Sequence, residues 1–324
     1  MKTSYLIKKV LMMVLIFAIV LIINFLLPRL SPVDPAQPYY PSGASEELKQ
    51  EIRASLGYDG TMWEQFGTYF SNFFKGEFGD SIKYNKPVFQ VIGDHITWTL
   101  ALTVTGLIIN ATIGIIIGAY CATKRGKRAD NTLLGAASIT TAIPAFWIAM
   151  VLVLIFGYTL AVFPTGGRLS DELGNWQWQF KYIFDLLYHM ILPLISTGIG
   201  GVIGYAMTTR NATIAVTNED YIMTAKAKGL SGRRVLYRHT LRNALLPLVT
   251  SIGMSMSGLI GGAVIIERIF SWNGMGTLFV EANASNDYNL MLAIMLLMSA
   301  ITLVANFVVD LLYVVLDPRI KEVR

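Results

Sequence analysis

Residues 210–247 read RNATIAVTNEDYIMTAKAKGLSGRRVLYRHTLRNALLP, the longest basic, helix-patterned segment of the chain, and an apolar run long enough to cross a bilayer flanks it on each side. Thr217 stands where an N-cap would, Asp220 three residues on completes a box of the capping type, and Gly229 followed by Leu230 has the form of a C′ stop. These limits predict a short helix over residues 218–228. Ser231 offers a second N-cap, and Arg234, Arg238 and Arg242 recur every four residues, which predicts a second helix with one basic face. Val235, His239 and Leu246 fall on another face. Two readings stand side by side: a solvated basic loop obeying the positive-inside rule, or a compact lever that presses on a soluble partner.

The rest of the chain supplies the membrane. Of 324 residues 54% are hydrophobic and only 15% charged, with a mean hydropathy of +0.52, too apolar for a soluble globular protein. Val10–Leu27, apolar apart from Asn24, is predicted as a retained first span, because it exceeds a signal-peptide core and no small-x-small cleavage site precedes Pro28. Five further runs, at about 99–122, 133–163, 190–209, 247–266 and 290–316, each reach the ~20 residues that a hydrocarbon core needs. Six spans place both termini on one side. Seventeen of the 26 Lys and Arg lie before the first span, at 124–128, within 210–242 and in the tail, so that side is predicted to be cytoplasmic. Topology thereby accounts for the net charge of +5, and nucleic-acid binding has no support.

Residues 29–97 form the one long polar-rich section and are predicted to be an ordered external segment. Within it Trp63, Phe66, Tyr69, Phe70, Phe73 and Phe74 have amphipathic-helix spacing. That helix either packs on the spans or offers a platform to a substrate-delivering protein or the membrane interface. Inside the spans, Pro144 divides the third and Pro193 begins the fourth. Gly198, Gly200, Gly201 and Gly204, then Gly253, Ser257 and Gly261, make small faces for close helix approach. Pro144, Gly201, Gly204, Gly253, Ser257 and Gly261 are therefore candidates for the pathway or its gating. Asp310, in the last span, is read as a structural carboxylate with a basic partner at the same face rather than as a proton site.

Enzyme signatures are missing from the sequence. No phosphate-binding G-x-x-x-x-G-K-[ST] occurs, the three His (95, 189, 239) are scattered, Cys121 is alone, and no G-x-S-x-G or H-E-x-x-H is found. The chain is expected to bind no cofactor, nucleotide or metal itself.

Residues 219–247, with EDYIMTAKAKGL followed by RRVLYRHTLRNALLP, closely resemble the cytoplasmic coupling loop of bacterial ABC-importer permeases of the peptide and nickel group. Where importers at large carry Glu-Ala-Ala before the glycine, this chain has Met223, Thr224 and Ala225. PVDP (32–35, with Val33 for a usual glycine), LGYD (56–59), GEFGDS (76–81), FPTGG (163–167), the turn ERIFSWNGMG (267–276, with Asn273 where proline is common) and LDPRI (316–320) extend the likeness to nearly the whole chain. The resemblance implies an all-α, six-span integral membrane protein: a first span in 1–28, an external segment at 29–97, the importer-type transmembrane domain over 95–311 and a tail at 312–324. It implies the first of two homologous permease subunits in a bacterial inner membrane, two ATP-binding subunits carrying ATP and Mg, an extracytoplasmic binding lipoprotein or periplasmic protein, and peptide as cargo, with nickel as the alternative. The residues it assigns to ATPase coupling are Asp220, Tyr221, Thr224, Ala225, Lys226, Lys228, Gly229, Leu230, Arg234 and Arg238.

Overall fold

The computed structural model describes residues 3–30, 32, 34–170, 180–258 and 264–316. Its first helix, α1 (Thr3–Arg29), is apolar round its middle and is held at two heights against the last, α14 (Tyr288–Leu316). Asn24, the polar exception within residues 10–27, is buried and donates its amide to Leu292 O at 2.8 Å, while Lys9 Nζ meets Asp310 Oδ2 at 2.5 Å. Asp310 thus has a basic partner, Lys9, of the kind the sequence suggested. Polar groups in a hydrocarbon setting find such partners because nothing else there will take their hydrogen bonds.

Two capped helices follow, α2 (Glu46–Ser55) and α3 (Met62–Lys75). Thr61 and Glu64 form a reciprocal capping box, and Gly76 at φ 75° ends α3 in the left-handed conformation. The aromatic face of α3 lies along α1: Phe66 and Tyr69 against Phe25, Phe73 against Phe17, with Gln65 accepting from Arg29 Nε at 2.8 Å. Trp63, Phe70 and Phe74 stay exposed on its other side. A two-stranded antiparallel hairpin, β1 (Asp80–Ser81) and β2 (Lys86–Pro87), then turns the chain. Asp287 seats it, accepting from Leu290 N as the cap of α14 and from Ser81 Oγ and Lys83 N of the hairpin.

The spine of the molecule is a parallel pair, α4 (Val88–Thr123, 36 residues) and α7 (Phe180–Thr217, 38 residues). Gly106, Gly114 and Gly118 of α4 face Leu194, Tyr205 and Ala206 of α7, and a Cβ built on Gly118 would overlap the carbonyl oxygen of Ala206. Backbone meets backbone along this seam. Between the two, α5 (Arg128–Ala142) and α6 (Ala145–Leu152, continued by a π-helical turn over Val153–Thr159) are bent by 93° at Pro144. Ile143 and Pro144 are extended there, as the residue before a proline and a helix-starting proline tend to be, so the expected single run is broken. Pro193 does not begin a helix but sits inside α7.

After α7 come α8 (Asp220–Ala227), α9 (Gly232–Arg234), α10 (Leu241–Ala244), α11 (Leu246–Gly258), α12 (Val264–Ile269) and α13 (Met275–Ala284). Among the described residues four helices are long and apolar enough to cross a membrane: Ile7–Arg29, Val88–Thr123, Phe180–Thr217 and Tyr288–Leu311. The bent α5–α6 pair makes five if it counts as one span. The fifth expected run, 247–266, is represented by the shorter apolar stretch Leu246–Met256 and by α12, with 259–263 outside the described residues.

Candidate coupling site

The chain leaves α7 at Thr217 and re-enters a helix three residues later. Thr217 does not cap α8: its hydroxyl donates to Thr213 O within α7, and Glu219 occupies the cap position without a side-chain bond to the helix. The far end of α8 follows the sequence closely. Gly229 has φ 73°, its N–H reaches Lys226 O at 2.9 Å, and Leu230 N reaches Ala225 O at 3.4 Å, the paired bonds of a Schellman stop. Nothing lies within 4 Å of where a Gly229 Cβ would stand, so the backbone conformation, not space, selects glycine here.

α8 has two faces. Ile222 and Ala225 are buried with Val235 against Val216 and Leu230, and this apolar plug fixes the short helix to the segment that follows it. Asp220, Tyr221, Thr224, Lys226, Lys228 and Gly229 are exposed. Ala225 therefore belongs to the packed face and Leu230 is half-buried in the stop, whereas the other coupling candidates of the loop are exposed. Tyr221 also links α8 to the root of α11, its hydroxyl accepting from Asn243 Nδ2 of α10 at 2.6 Å.

Ser231 caps α9 as expected, accepting from Arg234 N. The basic helix beyond it is not a plain α-helix, because Val235–Thr240 winds as a π-helical turn and inserts one residue into the repeat. The buried positions are Val235, Thr240, Leu241, Ala244 and Leu248, while His239 and Leu246 are only half-buried, a one-residue slip from the face read at four-residue spacing. Arg234, Arg238 and Arg242 remain exposed, no longer in strict α register.

A contact that the sequence did not single out roots this loop. Arg210, near the end of α7, makes a two-pronged bridge to Asp130 of α5, Nε to Oδ1 at 2.5 Å and Nη2 to Oδ2 at 2.8 Å, and the Gly126 N–H adds a third bond at 2.8 Å. Asp130 is buried, and Cys121 and Leu133 pack beside it on Ala206. The available signal was an acid inside the basic run KRGKRAD (124–130), where a lone carboxylate needs a partner.

The pathway candidates fall in different surroundings. Gly201 faces Asn110, and Gly253 faces Val309, so both serve packing within the chain. Gly204 is exposed with nothing near it, and Pro144 is the vertex of the bend. Ser257 falls in α11, and Gly261 lies outside the described residues.

Parallel close-packed long helices, a broken span and a short two-faced helix rooted at their end make a helical bundle with the length and apolarity of a membrane protein. Residues 114–322 match the family described as the binding-protein-dependent transport system inner membrane component, and 2–103 match the family of its N-terminal part. The chain belongs to this family and is a permease subunit of an ABC importer. The oligopeptide transport system permease protein AppB of Bacillus subtilis (strain 168) is 33% identical over 321 residues, covering 98% of this chain and 99% of that protein. The dipeptide transport system permease protein DppB of Escherichia coli (strain K12) is 35% identical over 296 residues, 86% and 87% of the two chains. In a solved structure of inward-facing conformations of the MetNI methionine ABC transporter, one chain superposes with a TM-score of 0.53 at 16% identity, covering 71% of this chain and 97% of its own, a likeness of fold.

Proposed function

We propose that this subunit forms half of the translocation pathway for peptides delivered by an extracytoplasmic binding protein. It pairs with a second, homologous permease in a bacterial inner membrane, with both termini cytoplasmic and six spans, the shorter α11–α12 run serving as the fifth. Two ATP-binding subunits dock on the cytoplasmic loops of the pair and carry the ATP and Mg. Relatives named for oligopeptide and dipeptide transport support the cargo; nickel or another small ligand on the same architecture is the alternative, and an ion-driven secondary transporter is the rival from another class.

The observation that carries the reading is the rigidity of α8. Its inner face is plugged by Ile222 and Ala225, its end is closed by the Gly229 stop, and Tyr221 ties it to α10. Force on its outer face therefore moves it as one body together with the ends of α7 and α11, and the Asp130–Arg210 bridge carries the displacement to α5. Coupling of this kind needs the docked ATPase to contact α8 differently in its open and closed states.

Gly229→Val tests it in proteoliposomes holding the whole complex. A β-branched residue at φ 73° costs about 1–2 kcal/mol or more and unwinds the stop, so uptake per ATP should fall about tenfold while the subunit still inserts and ATP is still hydrolysed. Normal coupled uptake would count against the lever. Arg234→Glu with Arg238→Glu should weaken capture of the ATPase subunits in a pull-down, the more so at low salt; unchanged capture removes these arginines from the docking surface. Uptake that persists without ATP but follows an ion gradient would favour the secondary-transporter reading.

A further inference from the structure

Because α4 and α7 run parallel, their first turns lie at the end of the molecule opposite the coupling loop. A recess of about 470 Å³ opens there, with Lys86, Asp94, His95, Trp98, Arg168 and Asn273 in its wall. Its floor is rigid. The Trp98 carbonyl accepts from Trp272 Nε1 at 3.0 Å, and both indoles are buried in one apolar cluster. Arg168 is carried over this floor by a stitched loop: Gly167 N donates to Phe270 O at 2.8 Å, and a Cβ on Gly166 would stand 2.9 Å from the same oxygen.

The guanidinium of Arg168 lies 4.5 Å above the Trp98 ring centroid. Stacking occupies the flat face of a guanidinium and leaves the N–H donors at its edge open to an acceptor. Among the described residues none of the ion pairs involves Arg168. Asp94 is exposed four residues before Trp98, hence on the same side of α4, and Lys86 adds positive charge at the wall. A half-buried guanidinium held over the Trp98 ring, with an exposed carboxylate on the same recess wall, suits a ligand with a negative group at one end, a positive group at the other and little between.

We propose that this recess holds the charged termini of peptide cargo, Arg168 taking the terminal carboxylate and Asp94 the terminal ammonium. The assignment rests on the peptide reading above and adds a determinant of selectivity within the permease. A bidentate carboxylate contact in a partly enclosed site discriminates against a cargo lacking that charge by tenfold or more.

The test is uptake of trialanine and of its C-terminal amide by the complete complex in proteoliposomes, binding protein included in every sample. Arg168→Gln should lower the acid-to-amide uptake ratio about tenfold, and Arg168→Lys should recover only part of it, because the charge is kept while the two-pronged fit is lost. Asp94→Asn should do the same to the ratio of trialanine to N-acetyl-trialanine. An equal loss for acid and amide would assign Arg168 to loop structure alone and overturn the proposal, as would an unchanged ratio. If the unaltered complex carries none of these peptides but takes up another solute, the peptide reading fails and this assignment falls with it.

Discussion

Gly118→Val should prevent the subunit from accumulating in a folded form, whereas Gly204→Ala, on the partner helix, should leave its stability unchanged. Gly118 lies where α4 touches α7 through the carbonyl of Ala206, which is fully buried, and Thr209 Cβ stands 2.7 Å from the site of an added Cβ. No flexible side chain is there to turn aside. Gly114, one turn earlier, is equally confined, with Tyr205 Cβ at 2.5 Å and Val202 O at 2.8 Å from its added Cβ. The two helices must separate, and every contact along the shared seam weakens together. Overpacking of a well-filled contact costs about 1–3 kcal/mol, and a β-branched residue against backbone belongs at the upper end, ~3 kcal/mol. Gly204 has nothing within 4 Å, so an alanine there adds helix propensity and no clash. Size-exclusion profiles and thermal midpoints of the detergent-extracted subunit distinguish the two. A Gly118→Val subunit that elutes and melts like the unaltered one would mean that α4 and α7 do not depend on this close approach.

That seam shows how far sequence reasoning reaches. The glycines of α7 were legible as a small-residue face, yet the seam is made by the stripe Gly106, Gly114 and Gly118 on α4 against Leu194, Tyr205 and Ala206, because glycine spacing within a span names a close approach without naming the partner. The lever loop was legible where local rules decide conformation: Ser231 caps, Gly229 stops, and Leu230 closes the stop. It was misread where packing decides. The π-helical turn at Val235–Thr240 leaves no mark in composition, and it moves the buried face by one residue. Ala225 looked like a small docking residue and is instead half of the plug that fixes the helix. Pro144 announced a kink, but a 93° break depends on which neighbours receive the two arms. Long-range ion pairs were the least legible of all, since Asp130 and Arg210 are separated by an entire bent span.

Glu267→Leu should destabilise the subunit by ~4 kcal/mol, even though leucine is close in size and suits an apolar site better by itself. The Glu267 side chain is completely buried, and its sequence context, the start of an external turn, gives no hint of that. Its Oε1 accepts from Thr99 Oγ1 at 2.6 Å, and its Oε2 accepts from the backbone N–H groups of Gly276 and Thr277 at 2.8 and 3.1 Å. Thr99 Oγ1 takes the Met275 N–H at 2.7 Å, so one carboxylate and one hydroxyl satisfy the whole first turn of α13 and complement its positive end. Glycines at 274 and 276 make the approach possible: a Cβ on Gly274 would overlap the carboxylate, and one on Gly276 would stand 2.6 Å from Val264 Cα. Leucine would leave two buried N–H groups and a hydroxyl without their acceptor, at about 1–3 kcal/mol each, offset by the better transfer of the apolar side chain. Glu267→Gln keeps an acceptor for the helix end and should cost less than half as much. Thr99→Val combined with Glu267→Leu should cost less than the two single changes added together, because each variant breaks the same bond. Thermal midpoints of the four proteins in one detergent decide the matter: strict additivity, or a leucine variant as stable as the parent, would show that α13 does not depend on this carboxylate for its first turn.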